Sequence, residues 1–343
     1  MPRKVKVAVL GCGSIAQHCH LPGYAKNRFA EVVAVADPVR ARLNEVKRQF
    51  PVGRTYADWR KLLATEELDA VSICTPNYLH APMALAALKR GLHVFCEKPM
   101  TISVKEADAV RRAARSASLR AGTTFMVGFT HRFLKGNIWA KKLLDAGGIG
   151  EPFMLRVRFA HGGPYPGWAK DDWFYSPREA GGGALLDMGI HAMDLARFYI
   201  GEAASVSAEL KTLRKPIRVD DNAILILTFK GKKALGYIEV GWTSRPGFSG
   251  AEIYGDEGTI LVDYIGGLRV LRGRTLPSGK VELRWQRPPV KVTEGGWAVE
   301  ADHFINCIRT GRAPKTGVED GYQAVRISCA AYESARRGRR VNL

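Results

Sequence analysis

The chain has 343 residues, 46% hydrophobic and 25% charged, which suits a water-soluble protein of two domains at ~150 residues each, and no apolar run nears the ~18 residues of a membrane helix, so no membrane partner is expected. A net charge of +19 would suit nucleic acid, but the basic residues are scattered and the one dense run, Arg336-Arg337-Gly338-Arg339-Arg340, stands beside no nucleic-acid motif; a basic surface that draws in an anionic cofactor is expected instead. Six cysteines (Cys12, Cys19, Cys74, Cys96, Cys307 and Cys329) form no CxxC pair and do not cluster with histidines, which argues against a metal site and against a disulfide framework.

A first strand is predicted at Val5 to Leu10. Arg3 and Lys4 before it faintly mimic a signal peptide, but the apolar stretch is short, so no export signal is read and a cytoplasmic protein is expected. The strand runs into Gly11-Cys12-Gly13-Ser14-Ile15-Ala16 and a second, Glu31 to Ala36, ends on Asp37. In that setting Gly11 permits a tight turn, Gly13 lets backbone N–H groups approach a pyrophosphate, and Ala16 lets the helix pack close to the strand. The pyrophosphate would sit at the helix N-terminus. Asp37 lies 21 residues beyond Ala16, near the ~20 at which an acid accepts from the adenosine ribose hydroxyls. It disfavours a 2′-phosphate and so favours NAD, while Arg40 and Arg42 keep NADP open.

Helices and strands then alternate: helices near Val39–Phe50, Trp59–Ala64, Ala81–Lys89 and Val104–Ser116, strands at Ala70–Cys74, Leu92–Cys96 and Thr123–Gly128. Residues 1–127 therefore read as a doubly wound parallel sheet with helices on both faces, an α/β dinucleotide domain. Residues 128–343 change rhythm: a helix Phe133–Leu144, a strand Phe153–Ala160, a Gly-, Pro- and Trp-rich loop, a helix Ala184–Ile200, then strands with short turns and two closing helices. That is a second domain of α+β type with a large, open, mainly antiparallel sheet.

Chemistry is expected at three places. Lys98, in Glu97-Lys98-Pro99 after the strand Leu92–Cys96, projects beyond a strand's carboxyl end, where ligands bind in such sheets, and Pro99 partly fixes its direction. Asp187 and His191, four apart on a predicted helix, stand on one face, a carboxylate orienting an imidazole that can act as a base. The loop His161–Arg178 holds Tyr165, Trp168 and Trp173, aromatic faces that suit the C–H faces of a polyol. Arg132 at the domain junction is a further cofactor candidate and equally a structural ion-pair partner. Cys12, Cys74 and Cys96 sit at strand ends beside the cofactor cleft, and none reads as a nucleophile.

Glu97-Lys98-Pro99 and Gly181-Gly182-Gly183 through Asp187-x-x-x-His191, with the Gly11–Ala16 fingerprint, Cys74-Thr75-Pro76-Asn77 with His80, and Gly128-Phe129-Thr130-His131-Arg132-Phe133, carry a family likeness. The chain resembles the glucose-fructose oxidoreductase, inositol dehydrogenase and rhizopine-catabolism family over nearly its full length. The resemblance implies a Rossmann domain, and a C-terminal domain whose open sheet commonly forms the contact of a homodimer or homotetramer. It implies that Thr75, Pro76, Asn77 and His80 line the cofactor, with Glu97 at the ribose and nicotinamide end. Lys98, Asp187 and His191 would form the catalytic group, acting on a hydroxyl or carbonyl of a sugar, cyclitol or related polyol. In the expected chemistry His191 accepts the hydroxyl proton, Asp187 orients it and binds substrate, and Lys98 polarises the same oxygen. Two other readings stay open: an elimination, epimerisation or glycoside cleavage through transient oxidation by bound NAD, and a non-catalytic NAD-binding sensor.

Overall fold

The computed structural model describes residues 3–164, 169, 171–244, 248–275 and 281–343. It divides into two compact units, the chain up to Thr130 with Trp297–Val325, and His131–Gly296 with Arg326–Leu343. The expected division at 127/128 gives the whole remainder to the second domain; here the later segment Trp297–Val325 groups with the first unit.

In the first unit the elements run β1 (Val5–Leu10), α1 (Leu21–Lys26), β2 (Ala30–Ala36), α2 (Arg40–Gln49), β3 (Arg54–Tyr56), α3 (Trp59–Thr65), β4 (Ala70–Ile73), α4 (His80–Lys89), β5 (His93–Cys96), α5 (Val104–Ala121) and β6 (Phe125–Val127). The strands form a parallel sheet in the order β3-β2-β1-β4-β5-β6. The central strands are largely apolar, as a sheet covered on both faces requires: Val7 to Leu10 and Ala70, Val71 and Ile73 are all fully buried. The strand order reverses between β1 and β4, and the crevice beyond the carboxyl ends of those strands is where such a sheet takes its ligand. Edge strand β3 has no apolar pattern to announce it; the Arg54 guanidinium and the Tyr56 hydroxyl both bond the buried Glu66 carboxylate.

The second unit runs α6 (Lys135–Asp145), β7 (Pro152–Ala160), α7 (Pro177–Ala180), α8 (Ile190–Tyr199), β8 (Ala203–Lys211), β9 (Asn222–Phe229), β10 (Leu235–Gly241), β11 (Gly250–Gly255), β12 (Gly258–Asp263), β13 (Gly267–Thr275) and β14 (Val281–Gln286). After them come α9 (Trp297–Thr310), α10 (Val318–Arg337) and β15 (Val341–Asn342). Among the described residues the sheet order is β14-β13-β12-β11-β7-β10-β9-β8-β15, antiparallel except where β7 meets β10. One face packs on α8, and the residues alternate accordingly. Along β9, Ala223, Leu225, Leu227 and Phe229 are buried while Ile224 and Ile226 are exposed.

The return of α9 to the first unit has a packing cause. Phe304, fully buried, lies 5.5 Å from the Phe95 ring, and a Cβ on Gly23 of α1 would fall 2.6 Å from the Ala301 methyl. The glycine lets the two helices close on each other. Further on, Thr316 exchanges backbone and side-chain hydrogen bonds with Val127, extending the β6 edge.

Candidate active site

The glycine loop after β1 is held from three sides. Gly11 has φ +91°, and a Cβ there would lie 2.4 Å from the Cys74 carbonyl oxygen at the end of β4. The Cys12 N–H donates to Asp37 Oδ2 at 2.8 Å, and Gln17 Nε2 donates to the Cys12 carbonyl at 2.8 Å. Ala16 is fully buried, and the helix entered at Ser14 opens through a π-turn, Ala16–His20, before α1. Ser14, exposed, and Ile15, half-buried, stand in its first turn. At Gly13 a Cβ would meet nothing within 4 Å, so packing does not demand a glycine there. The open backbone leaves room for an outside group to come close, and a pyrophosphate at this helix start fits that room.

Asp37 is buried with Oδ1 accepting from the Val39 N–H at 2.8 Å. A carboxylate has about four acceptor positions; two hold the loop, and the others suit ribose hydroxyls. Arg42 Nη1 lies 4.0 Å from Asp37 Oδ2. The Cys12 thiol is pushed up to about 12 by burial and then by the Asp37 carboxylate, and Cys74 and Cys96 are raised well above the usual range by burial. All three stay protonated, which fits packing and not nucleophilic work.

Asn77 is buried in the short turn that leads into α4, with Thr75 and Pro76 partly exposed before it. His80, at the start of α4, is buried. Its Nδ1 lies 2.7 Å from the Pro99 carbonyl and its Nε2 2.9 Å from the Thr75 carbonyl. Burial lowers its proton affinity and the two carbonyls partly restore it. His80, expected to line the cofactor, thus also joins the turn after β4 to the turn after β5.

Lys98 follows β5, is partly exposed, and is joined to Pro99 by a cis peptide. Glu97 beside it is buried against His20, with His20 Nε2 2.8 Å from Glu97 Oε1, while His20 Nδ1 lies 3.2 Å from Ser72 Oγ. Glu300, from α9, is buried in the same layer, and burial followed by the Glu97 carboxylate raises its pKa well above the usual range. Neither His20 nor Glu300 carries a local motif; only the fold brings them to Glu97.

In the second unit the helix expected over 184–200 begins with a π-turn, Leu185–Gly189, and continues as α8. Asp187 and His191, both buried, straddle that junction. The Asp187 carboxylate has a partner that spacing does not reveal, Trp242 Nε1, which donates to Oδ2 at 3.2 Å. His191 packs against the His131 ring, centroids 4.6 Å apart. His131 is itself fixed: its Nδ1 lies 2.7 Å from Tyr264 Oη, and Asn137 Nδ2 donates to Tyr264 Oη at 2.8 Å and to the His131 carbonyl at 2.7 Å. Tyr199 Oη donates to Asn137 Oδ1 at 2.8 Å. Burial raises the Tyr264 and Tyr199 phenols, so both remain O–H donors.

Arg132 forms a bidentate pair with Asp194 at 2.7 and 2.6 Å, both residues largely buried. The ion-pair alternative thus describes where the structure places it, and Asp194 is engaged there. Trp173 is half-buried with Phe174 stacked on it at 3.8 Å, and Tyr175 meets Trp242 edge-on. Tyr165 and Trp168 lie outside the described residues.

A switch-point sheet, a glycine loop open at Gly13 and an acid closing the second strand define a Rossmann dinucleotide-binding protein. Residues 5–128 match the model of the oxidoreductase family with an NAD-binding Rossmann fold, and residues 138–261 match the GFO/IDH/MocA C-terminal domain. The chain is 31% identical to scyllo-inositol 2-dehydrogenase (NAD(+)) of Bacillus subtilis over 100% of this chain and 97% of the relative. Among solved structures, levoglucosan dehydrogenase in complex with NADH and levoglucosan superposes with a TM-score of 0.86 at 26% identity, covering 99% of each chain. An oxidoreductase domain protein from Kribbella flavida gives 0.87 at 26%, covering 100% and 99%. The chain belongs to the GFO/IDH/MocA family of NAD-binding oxidoreductases.

Proposed function

We propose that the protein is an NAD-dependent dehydrogenase that oxidises a secondary hydroxyl of a sugar, a cyclitol or a close derivative, or reduces the matching ketone. What carries this reading is the presence, in one chain, of the open Gly13 loop with Asp37 and of a buried carboxylate and imidazole at a helix opening. The relatives named inositol and levoglucosan dehydrogenases support the substrate class. When bound, the nicotinamide accepts the hydride. Gly11 to Ala16 seat the pyrophosphate and Asp37 takes the ribose hydroxyls, with Thr75, Pro76, Asn77 and Glu97 toward the nicotinamide end.

His191 takes the hydroxyl proton as the carbon becomes a carbonyl, and gives it back in the reductive direction. Asp187, oriented by Trp242, holds the imidazole and a substrate hydroxyl, and Lys98 stabilises charge on the reacting oxygen. Trp173 supplies an aromatic face for the ring's C–H surface. The test is formation of reduced nicotinamide over a panel of sugars, cyclitols and sugar acids, with NAD and NADP offered separately. Turnover with NAD that vanishes in His191→Ala, with NAD binding kept, supports the reading. Tight NAD binding with no turnover on any substrate refutes it in favour of hidden-redox chemistry or a sensor.

A further inference from the structure

The glycines that precede Asp187 have a cause outside their own segment. Gly183 donates its N–H to Asp220 Oδ1 at 2.9 Å, Ala184 to the Asp220 backbone carbonyl at 2.8 Å, and Leu185 to Asp220 Oδ2 at 2.7 Å. One residue thus accepts three successive amides of the kind a helix start leaves without a partner in the helix. Tyr332, on α10, donates to Asp220 Oδ1 at 2.7 Å and lies 3.2 Å from the Gly183 N–H. Burial and the neighbouring Asp220 carboxylate raise the Tyr332 phenol well above its usual range, so it stays a donor.

The approach is too close for side chains. A Cβ on Gly183 would fall 1.9 Å from the Asp220 carbonyl oxygen, and one on Gly182 would fall 2.2 Å from Tyr332 Oη. Gly182 and Gly183 are therefore the imprint of a cap supplied by the loop between β8 and β9. Asp221, next to Asp220, reaches Asp187 by a second route. The Asp221 carbonyl accepts the Trp242 backbone N–H at 2.8 Å, and the Trp242 indole donates to Asp187 Oδ2.

We propose that Asp220, assisted by Tyr332, is a positioning residue for the reaction: it fixes the first turn of the helix that carries Asp187 and His191 and so the direction of the Asp187 carboxylate. This rests on the roles given to Asp187 and His191 above. A carboxylate at this end also complements the helix dipole. Asp220 does not touch the reacting atoms; its contribution is to hold Asp187 in place while charge moves.

The experiment compares wild type, Asp220→Ala, Asp220→Asn and Tyr332→Phe in three readouts. These are kcat and KM on the best substrate of the panel, the NAD dissociation constant, and the Trp242 indole N–H resonance, assigned by its loss in Trp242→Phe. In Asp220→Ala, kcat is expected to fall at least about tenfold with KM and NAD affinity within about twofold, as misplacement of a reacting group predicts. Its Trp242 resonance is expected to move toward the position it takes in Asp187→Asn. Asp220→Asn, which keeps one acceptor oxygen, is expected to recover part of both. A folded Asp220→Ala with wild-type kcat and an unmoved resonance overturns the proposal, as does a rise in KM without loss of kcat. Should Asp220→Ala not fold, Tyr332→Phe decides: lower kcat with a smaller shift supports the proposal, and wild-type values in both overturn it. If wild type turns over nothing on the panel, the function reading fails, while the resonance still decides whether Asp220 positions Asp187.

Discussion

Two glycines in one loop answer to different demands. Gly11→Ala meets both a φ of +91° and the Cys74 carbonyl, so it is expected to cost about 1–3 kcal/mol in backbone strain and to lower Tm along with NAD affinity. Gly13→Ala has open space for its methyl group, so its Tm stays near wild type while NAD affinity falls at least about tenfold, the room being taken from the pyrophosphate. Calorimetry with and without NAD checks both, and equal losses of Tm would sink the distinction. Glu300 gives a pH-dependent case. Burial and the Glu97 carboxylate raise its folded pKa, so the stability it allows is full below its unfolded pKa, ~4.3, and is lost as pH rises toward the folded pKa. Glu300→Gln is expected to match wild type in Tm near pH 4 and to exceed it progressively on the alkaline side. Parallel unfolding curves for the two proteins at every pH would show that Glu300 is not held neutral by the fold. What was legible at this scale was what sits close in the chain: Gly11, Gly13, Ala16 and Asp37 follow from spacing alone. His20 and Glu300 could not be read, because each is an isolated polar residue in a helix and gains meaning only when the fold carries it to Glu97.

The elements that hold Asp187 and His191 come from well-separated parts of the chain. A helix-period reading put those two residues on one helix, but Trp242 just beyond β10, Tyr264 beyond β12 and Asp220 before β9 are positioned by sheet pairing, which no local pattern encodes. The π-turn at Leu185–Gly189 was equally hidden, since nothing in Leu-Leu-Asp-Met-Gly marks one. The largely buried chain from His131 through Tyr264 and Asn137 to Tyr199 is the testable part. Tyr264→Phe removes the hydroxyl shared by His131 Nδ1 and Asn137 Nδ2 and leaves buried polar atoms dry, at a cost of about 1–3 kcal/mol. With His131 loosened against His191, kcat is expected to fall while NAD affinity does not change. A variant with lower Tm but wild-type kcat would confine the network to stability.

At the scale of the whole molecule, the division of the chain was legible as far as the change from alternating strands and helices to consecutive strands. The return of Trp297–Val325 to the first unit was not, because α9 reads as one more amphipathic helix and its true partners, Phe95 and Gly23, lie some two hundred or more residues earlier. Among the described residues of the nine-stranded sheet, the side of the strands opposite the buried core carries exposed apolar side chains. Ile224, Ile226, Leu235 and Met154 are exposed there, Ile226 opposite Tyr237, beside a polar row in which Arg156 pairs with Glu252 and Arg158 with Glu239. Apolar side chains ringed by paired charges suit a surface that meets its own copy, which the family likeness also implies. Light scattering is expected to show a dimer or tetramer for wild type. Ile226→Glu sets a charge on the exposed side of β9 and leaves Leu225 and Leu227 in the core, so it is expected to give a folded protein at least about tenfold weaker in association, as an unpaired charge buried in an interface predicts. A wild type that is monomeric at every concentration, or an Ile226→Glu that assembles as wild type does, would place the contact elsewhere or remove it, because the substitution leaves the buried face and the helix of Asp187 and His191 unchanged.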